Sequence, residues 1–506
     1  MTIWTLMVNN MEQRMEKITE NKNKELSTEI EKLKRQVKIL KSRRRYGLTW
    51  EEEKEPEQIV LDCQYKIPIL KDIKTKAIIT DKKMPENILI EGDNYHALSV
   101  LNYTHSKAID LVIIDPPYNT GRNDFKYNDN YVNEEDAYRH SKWLSFMKNR
   151  LQLAKNIIKD TGGIFVFIDD NEFAQLKLLM DEVFGKENFK NCMIWAYRTG
   201  GAPRKTNIFN PKHDYILFYS KSKGLKFNTN LKERINYKKD FFGAKKDENG
   251  NFYALVNLRD IIEGEIELYK DDKPYKIINT KPVINLSVER VEDFASQKPI
   301  GLIKFILEIM AYKDNMVICD FFAGTGTVGK AVLAINEENN THHKFILCTN
   351  NENGIAENIC YPEIKKYMVG SKKIEALGGN LQYFKTELLD INHISHVSDE
   401  QKIRLTYQAG EIIALREDTF EEVEKDEWWQ IFENGQKYTA IYFKEDKSKL
   451  NQLVNKLSKL KKEVSLYIFS WGKNEYRNEF TEYNNIKVED IPEPIIDVYK
   501  EVNRLS

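Results

Sequence analysis

The clearest pattern in the sequence is an alternation of short apolar runs with longer segments whose apolar residues recur at helical spacing. One such segment covers 135–159, where Trp143, Met147 and Leu151 fall on one helical face. The apolar runs are rich in β-branched residues and predict strands, at 87–93, 109–114, 162–170, 192–197, 213–220, 315–320 and 345–349. Strands that alternate with helices in this way predict an α/β fold with one doubly wound, mostly parallel sheet.

Changes in this pattern divide the chain into regions. The N-terminal region carries Leu26, Ile30 and Leu33 four and three residues apart, which predicts a helix that either contacts a second copy or partner or docks on its own domain. A Glu- and Lys-rich arm follows, and two α/β blocks then flank a basic insert. The predicted bounds are 1–50 for the helix, 51–85 for the arm, 86–223 and 296–378 for the blocks, 224–295 for the insert and 379–506 for a small C-terminal α/β domain.

Composition narrows the class of protein. Hydrophobic residues make up 41% of the chain, no apolar run approaches the length of a membrane span, and the first residues lack the pattern of a signal peptide. The five cysteines include no Cys-x-x-Cys pair, and no His cluster accompanies them. We therefore expect a cytoplasmic protein with neither a metal site nor a disulfide framework.

The net charge of −1 hides a local excess of basic residues. Between Arg198 and Lys246 there are thirteen Lys and Arg residues but only three acids, and aromatic residues such as Phe241 and Phe242 are interleaved. Such a patch is typical of nucleic-acid binding, although a solvated surface is the alternative. The predicted DNA-binding residues are Arg198, Arg204, Lys205, Lys238, Lys239, Lys245 and Lys246.

The stretch 109–118 combines a buried strand with the ending Asp115-Pro116-Pro117-Tyr118. Two consecutive prolines cannot extend a hydrogen-bonded ladder, so the chain must leave the sheet at its carboxyl edge in a stiff turn. In an open α/β sheet this edge is where ligands bind. The turn presents a carboxylate, carbonyls and an aromatic ring, which suit a planar base that carries an amino group. These four residues are the predicted catalytic site.

A glycine-rich turn, Asp320 to Thr327, follows the strand at 315–320. Glycine lets the backbone approach a ligand, and the helix that begins after the turn supplies N–H donors. Glu352, after the next strand, is placed to bind ribose hydroxyls. This pattern alone fits a dinucleotide or S-adenosylmethionine. The Pro-Pro turn favours S-adenosylmethionine, because an amino-methyltransferase needs such acceptors and a hydride-transfer enzyme does not.

Together these motifs resemble those of β-class DNA amino-methyltransferases, and specifically of the Mod (modification) subunits of type III restriction–modification systems. The resemblance covers about 45–385 and includes both turns. It rests further on Tyr46 to Leu48, Ile90 to Leu98, His140 to Leu144, Ile168 to Glu172, Thr349 to Asn353 and Asn380 to Lys385.

The resemblance implies a role for each motif. Asp115 at the head of the catalytic motif favours N6 of adenine over N4 of cytosine, and target recognition is carried by the insert. The implied fold is that of S-adenosylmethionine-dependent methyltransferases. The predicted cofactor-binding residues are Asp93, Lys298, Asp320, Phe322, Gly324, Gly326, Thr327 and Glu352.

The predicted function is site-specific methylation of an adenine that is flipped out of duplex DNA. The resemblance further implies a homodimer and a restriction partner with helicase and nuclease activity. Three alternatives stay open: an orphan regulatory methyltransferase, a DNA-binding assembly subunit with vestigial catalysis, and an RNA adenine methyltransferase.

Overall fold

The structure is a computed structural model. It describes the residues 56–197, 211–283, 289–291, 297–472, 475–476 and 479–505. The predicted N-terminal helix and the predicted DNA-binding residues Arg198, Arg204 and Lys205 lie outside these residues.

The strands and helices are numbered here in chain order. The strands are β1 Lys66–Asp72, β2 Glu86–Glu91, β3 Ile109–Ile114, β4 Lys126–Tyr127, β5 Asn130–Tyr131, β6 Ile158–Ile168, β7 Phe189–Ala196, β8 His213–Ser220, β9 Leu231–Tyr237, β10 Lys245–Lys246, β11 Phe252–Asn257, β12 Ile261–Glu263, β13 Glu265–Lys270, β14 Lys273–Asn279, β15 Val317–Asp320, β16 Lys344–Thr349, β17 Asn380–Asp390, β18 Glu421–Lys425, β19 Trp429–Glu433, β20 Lys437–Tyr442, β21 Glu463–Phe469 and β22 Ile486–Ile491. The α-helices are α1 Gln58–Asp62, α2 Asn94–Thr104, α3 Arg139–Ile157, α4 Phe173–Met180, α5 Ile300–Met310, α6 Thr327–Asn339, α7 Tyr361–Val369, α8 Asp399–Gln408, α9 Gly410–Glu417, α10 Lys447–Leu457 and α11 Glu493–Leu505.

A ten-stranded sheet forms the centre of the molecule, in the order β1-β17-β2-β16-β15-β3-β6-β8-β7-β12. The six strands from β17 to β6 run parallel to one another. All six residues of β3 are buried, as expected for a parallel strand covered on both faces. The prediction of a doubly wound, mostly parallel sheet is confirmed.

Helices cover both faces of this sheet. Leu111 and Ile113 of β3 pack into a core cluster with α5 and α6. The alternate residues of β3 point to the opposite face, on which α2 contacts β1 and β16 and α3 packs against α2. Within the sheet, the strand that follows β3 in the chain, β6, lies on one side of β3. The strand that follows β15, which is β16, lies on the opposite side of β15. The neighbouring carboxyl ends of β3 and β15 therefore form the topological switch point, where open α/β sheets bind ligands.

The structure places two predicted boundaries differently. The predicted arm contains β1, which pairs antiparallel with β17 along seven residues and forms one edge of the main sheet. The predicted C-terminal domain begins at 379, but β17 (Asn380–Asp390) belongs to the main sheet. The sequence does not predict β1, because it contains Pro68 and proline is depleted in strands. An edge strand such as β1 tolerates a proline.

The insert has more regular structure than its irregular sequence pattern predicts. Five of its strands form an antiparallel sheet in the order β10-β11-β9-β13-β14, while β12 returns to the main sheet and pairs with β7. Towards the C-terminus, β18 to β22 form another five-stranded sheet, which packs with α10. Within the described part of the chain, none of the helices has the length and hydropathy needed to cross a membrane.

Candidate active site

A cavity of about 610 Å³ opens at the switch point of the main sheet. Its size lies within the range of small-molecule and cofactor sites, roughly 300–1,000 Å³. The predicted site residues that line it come from the turns after β2, β3, β15 and β16 and from the segment before α5. They are Asp93, Asp115, Pro117, Lys298, Asp320, Phe322, Gly324, Thr327 and Glu352. Pro116, Tyr118 and Gly326 are not among the residues that line it.

Asp115 lies at the catalytic turn after β3. Its Oδ2 accepts a hydrogen bond of 2.7 Å from the Nζ of Lys298, while its Oδ1 is buried and has no partner in the described part of the chain. A buried acceptor without a donor is costly unless a ligand or water supplies one. One carboxylate oxygen is therefore fixed by the protein, and the other has no protein donor among the described residues.

Tyr118 is held beside this carboxylate by its hydroxyl group. The Tyr118 Oη accepts from Lys298 Nζ at 2.8 Å and donates to Asp214 Oδ2 at 3.3 Å. Burial, reinforced by the charge of Asp115, raises the pKa of the Tyr118 hydroxyl well above its usual value, so the group remains neutral. Tyr197 donates to the other oxygen of Asp214 at 3.3 Å.

The glycine-rich turn after β15 brings the backbone to the cavity in a conformation that favours glycine. Gly324 and Gly326 have φ angles of 51° and 73°, and α6 begins at the next residue, Thr327. Asp320 accepts a 2.9 Å hydrogen bond from the backbone N–H of Phe322. Burial, with a contribution from Asp115, raises the pKa of Asp320 to about 8. The N-terminus of α6 thus offers N–H donors beside a largely neutral acid.

Two acidic residues stand on the other walls of the cavity. Asp93 caps α2 through a 2.7 Å hydrogen bond from the backbone N–H of Tyr95. Glu352 is exposed, and its Oε2 lies 3.2 Å from the Nζ of Lys126 in the β4–β5 hairpin. Acidic side chains of this kind can accept hydrogen bonds from ligand hydroxyl or amino groups.

Comparison with known proteins identifies the domain that holds this site. Residues 109–359 match the family model described as DNA methylase. The chain contains a DNA methylase domain. Both the Asp115 turn and the glycine-rich turn fall within the matched residues.

The relatives of this chain include a type III Mod subunit and a type II methyltransferase. The Mod subunit of the type III restriction-modification enzyme StyLTI of Salmonella typhimurium is 30% identical over 354 residues, which cover 54% of this chain and 53% of that one. The type II methyltransferase M.KpnI of Klebsiella pneumoniae is 28% identical over 346 residues, covering 53% of this chain and 82% of that one. The chain thus spans about half the length of the StyLTI subunit.

Among solved structures, the cytosine-N4-specific PvuII DNA methyltransferase aligns with a TM-score of 0.35 and 14% identity. The alignment covers 56% of this chain and 92% of the PvuII chain.

The basic residues predicted to bind DNA lie on the insert of the methylase domain where they are described. Lys238, Lys239, Lys245 and Lys246 are all exposed. Phe242 beside them is fully exposed, at 105% of its reference area. The insert therefore presents cations and an aromatic ring on one short stretch of surface.

Several side chains at the site are not among the residues singled out as functional from the sequence. Asp214 contacts Lys298 and Tyr118 from the start of β8, where a single acid before an apolar run is the only signal. Glu172 is buried and contacts Asn119, the residue after the catalytic motif. Arg150 is buried and lines the cavity. Its signal in the sequence is its position as a single arginine on the apolar face of the predicted helix 135–159.

Proposed function

We propose that this chain transfers a methyl group from S-adenosylmethionine to N6 of an adenine flipped out of duplex DNA. The observation that carries the proposal is the Asp115 carboxylate, with Oδ2 bonded to Lys298 and Oδ1 buried without a partner among the described residues. A base amino group is a donor of the right kind for that oxygen. The DNA methylase match of residues 109–359 supports this reading of the cavity.

The chemistry of the cavity fits the proposed cofactor. S-adenosylmethionine, when bound, supplies an electrophilic methyl group. The N-terminus of α6 after the glycine-rich turn suits a carboxylate. Asp93 and Glu352 suit amino and hydroxyl groups, and Phe322 offers an aromatic face. These residues would hold and orient the cofactor in the cavity that Asp115 also lines.

The residues of the catalytic turn have distinct tasks. Asp115 Oδ1 accepts a hydrogen bond from one N–H of the base amino group. This hydrogen bond draws the lone pair of the amino nitrogen out of conjugation with the ring. Asp115 Oδ1 is also positioned to take up the proton that the nitrogen loses after methylation. Lys298 fixes the carboxylate through Oδ2, so the enzyme does not need to reorganise during the reaction. The carbonyl of Pro116 is the proposed second acceptor, and Tyr118 is proposed to contact the base.

The relatives support a proposal for the wider biological role. We propose that the chain is the modification component of a type III restriction–modification system, acts as a homodimer and works with a restriction subunit. The similarity to the StyLTI Mod subunit supports this role. The similarity to M.KpnI, of which 82% is covered, favours a type II methyltransferase as the second candidate. Purification of the chain from native cells separates the two candidates. A restriction subunit that co-purifies with the chain supports the type III role, and its absence supports the second candidate.

The decisive test of the site is Asp115→Ala. Methyl transfer to DNA should fall at least about 100-fold, as when a preorganised polar group is removed from other enzymes. Cofactor affinity measured by calorimetry should change less than about threefold, because Asp115 contacts the base. Mass spectrometry of the nucleosides identifies N6-methyladenine as the expected product of the wild type.

Asp170→Ala is the matched control, since Asp170 is an exposed carboxylate after the neighbouring strand β6. It should methylate DNA at the wild-type rate. Activity of Asp115→Ala close to that of the wild type would rule out this assignment, and N4-methylcytosine as the product would overturn the choice of base.

A further inference from the structure

The cavity has a buried cation in its wall whose task the catalytic turn does not explain. Arg150, on α3, is fully buried. Its Nη1 lies 2.8 Å from Oε1 and 3.0 Å from Oε2 of Glu57, which is itself only 7% exposed. A buried arginine is stable only when its charge is paired and its donors are satisfied. Glu57 supplies that pairing from outside the matched methylase residues.

Arg150 is linked to two of the predicted cofactor-binding residues, directly to Asp93 and through Phe146 to Phe322. Its Nη2 donates to Asp93 Oδ1 at 3.3 Å, the oxygen that also accepts from the backbone of Tyr95. Its guanidinium carbon lies 3.6 Å from the ring centre of Phe146, which in turn lies 6.0 Å from the ring of Phe322. Arg150 thus contacts Asp93 directly and reaches Phe322 through the ring of Phe146.

A third contact extends this network to the glycine-rich turn. Arg150 Nε donates to Asn94 Oδ1, and the amide nitrogen of Asn94 donates to the carbonyl of Phe321 at 2.9 Å. Phe321 belongs to the turn that leads into α6. The carboxyl ends of β2 and β15 are therefore linked through Arg150 and Asn94.

The segment that supplies Glu57 is fastened to the opposite wall. Asn128, at the tip of the β4–β5 hairpin, accepts from the backbone N–H of Gln58 at 2.7 Å and donates to the carbonyl of Pro56 at 3.2 Å. Glu57, Gln58 and Ile59 all line the cavity. The segment 56–62 is therefore one wall of the cavity, fixed by Arg150 on one side and by Asn128 on the other.

We propose that Glu57 and Arg150 are positioning residues for the cofactor, and that the segment 56–62 completes the cofactor pocket from outside the DNA methylase domain. This inference rests on the proposed function, because it assumes that S-adenosylmethionine occupies the cavity. Glu57 acts through Arg150 on Asp93 and Phe322. It affects cofactor affinity and leaves the chemistry at Asp115 unchanged.

The test is Glu57→Gln in the full-length protein, with S-adenosylmethionine binding measured by calorimetry and kinetics measured at saturating DNA. The dissociation constant and the KM for the cofactor should both rise about tenfold. The kcat at saturating cofactor and the KM for DNA should stay within about twofold of the wild type. A purely structural role of Glu57 would not raise the KM for the cofactor while leaving kcat unchanged.

Two further variants keep the test decisive. Glu417→Gln removes a similarly paired carboxylate in the C-terminal part of the chain and should leave cofactor affinity unchanged. Asn128→Gly removes an exposed side chain from the other fastening and retains the left-handed backbone at φ 49°. It should weaken cofactor binding by about threefold, and it decides the matter if Glu57→Gln fails to fold.

The outcomes separate this inference from the proposed function. A wild-type protein that neither binds S-adenosylmethionine nor methylates DNA overturns both. A wild type that does both, with Glu57→Gln folded and equal to it in cofactor affinity, overturns the inference alone. Equal losses of affinity in Glu57→Gln and Glu417→Gln would also overturn it, because the effect would then reflect general destabilisation.

Discussion

The ammonium group of Lys298 lies between two carboxylates that come from distant parts of the chain. Its Nζ is 2.7 Å from Asp115 Oδ2 and 3.7 Å from Asp214 Oδ2. Burial acts to lower the pKa of Lys298, but the charges of Asp115 and Asp214 raise it above its usual value. The lysine therefore stays charged. It orients Asp115 in addition to lining the cavity.

Removing this charge should affect the reaction more than cofactor binding. In Lys298→Met the carboxylates of Asp115 and Asp214 lose the cation between them, so the catalytic turn loses its fixed orientation. We expect the rate constant of methyl transfer, measured under single-turnover conditions, to fall about 100-fold, as for other preorganised electrostatic groups. Cofactor affinity should change less than about fivefold.

Lys304→Met provides the control, because Lys304 pairs with Glu338 on the following helix and should leave kcat unchanged. A Lys298→Met enzyme with normal kcat and greatly weakened cofactor binding would instead assign Lys298 to the cofactor alone.

The sequence predicts these residues unevenly, for a physical reason. The residues of the catalytic turn and the glycine-rich turn stand out because each turn places special residue types next to one another in sequence. The contact between Lys298 and Asp115 spans 183 positions, and only the fold brings the two together. Asp214, the second residue of β8, is marked in the sequence only as a single acid before an apolar run.

At the level of elements, α3 and the N-terminal end of α4 hold the catalytic turn in place. Trp143 on α3 donates its indole N–H to the carbonyl of Pro117 at 2.7 Å. Asn119, in the left-handed region at φ 55°, donates to Glu172 Oε1 at 2.5 Å. Glu172 also lies 2.7 Å from His140 Nδ1. The sequence predicts the helix of Trp143 as a cover for the sheet, but its role as a support for the turn depends on tertiary contacts.

Glu172 should make stability depend on pH in a defined direction. Burial raises its pKa from 4.5 to about 8. Between these values the folded state holds a proton that the unfolded state has released, so stability falls as pH rises from about 5 to 8. Glu172→Gln resembles the protonated form and lacks this dependence.

We expect the melting temperature of the wild type to drop by a few degrees relative to Glu172→Gln over this pH range. Scanning calorimetry of both proteins at pH 5 and pH 8 measures the difference. A constant difference between the two proteins would show that Glu172 carries no bound proton in the folded state.

At the level of the whole molecule, the insert carries the exposed lysines that the sequence predicts to bind the DNA backbone. The sequence predicts its position and its charge. It does not predict its antiparallel sheet, because the strands there are half-buried and carry many polar residues, such as those in the pattern of β9. Similarly, the sequence predicts an arm where β1 lies, since the partner strand β17 comes some 300 residues later in the chain.

Replacing Lys238, Lys239, Lys245 and Lys246 by Gln should weaken DNA binding without changing cofactor affinity. Each phosphate contact contributes about 0.9 to the slope of log K against log salt, so the slope should decrease by up to roughly 3.6. Fluorescence anisotropy over a range of salt concentrations measures both quantities.

The matched control replaces exposed lysines of the C-terminal region, Lys425, Lys447, Lys459 and Lys461. It should leave the slope unchanged. An unchanged slope in the insert variant as well would mean that phosphate contacts lie elsewhere on the chain.

The order of strands in the main sheet also governs when the enzyme can form during synthesis. β2 is made early, but both of its neighbours, β16 and β17, are encoded more than 250 residues later. At translation rates of about 5–20 residues per second, β2 waits on the order of 10–50 s for a partner. The cofactor cavity needs the ends of both β2 and β16. A nascent chain therefore has to keep an apolar strand from pairing wrongly, and its cavity cannot form until the strands as far as β17 have emerged from the ribosome.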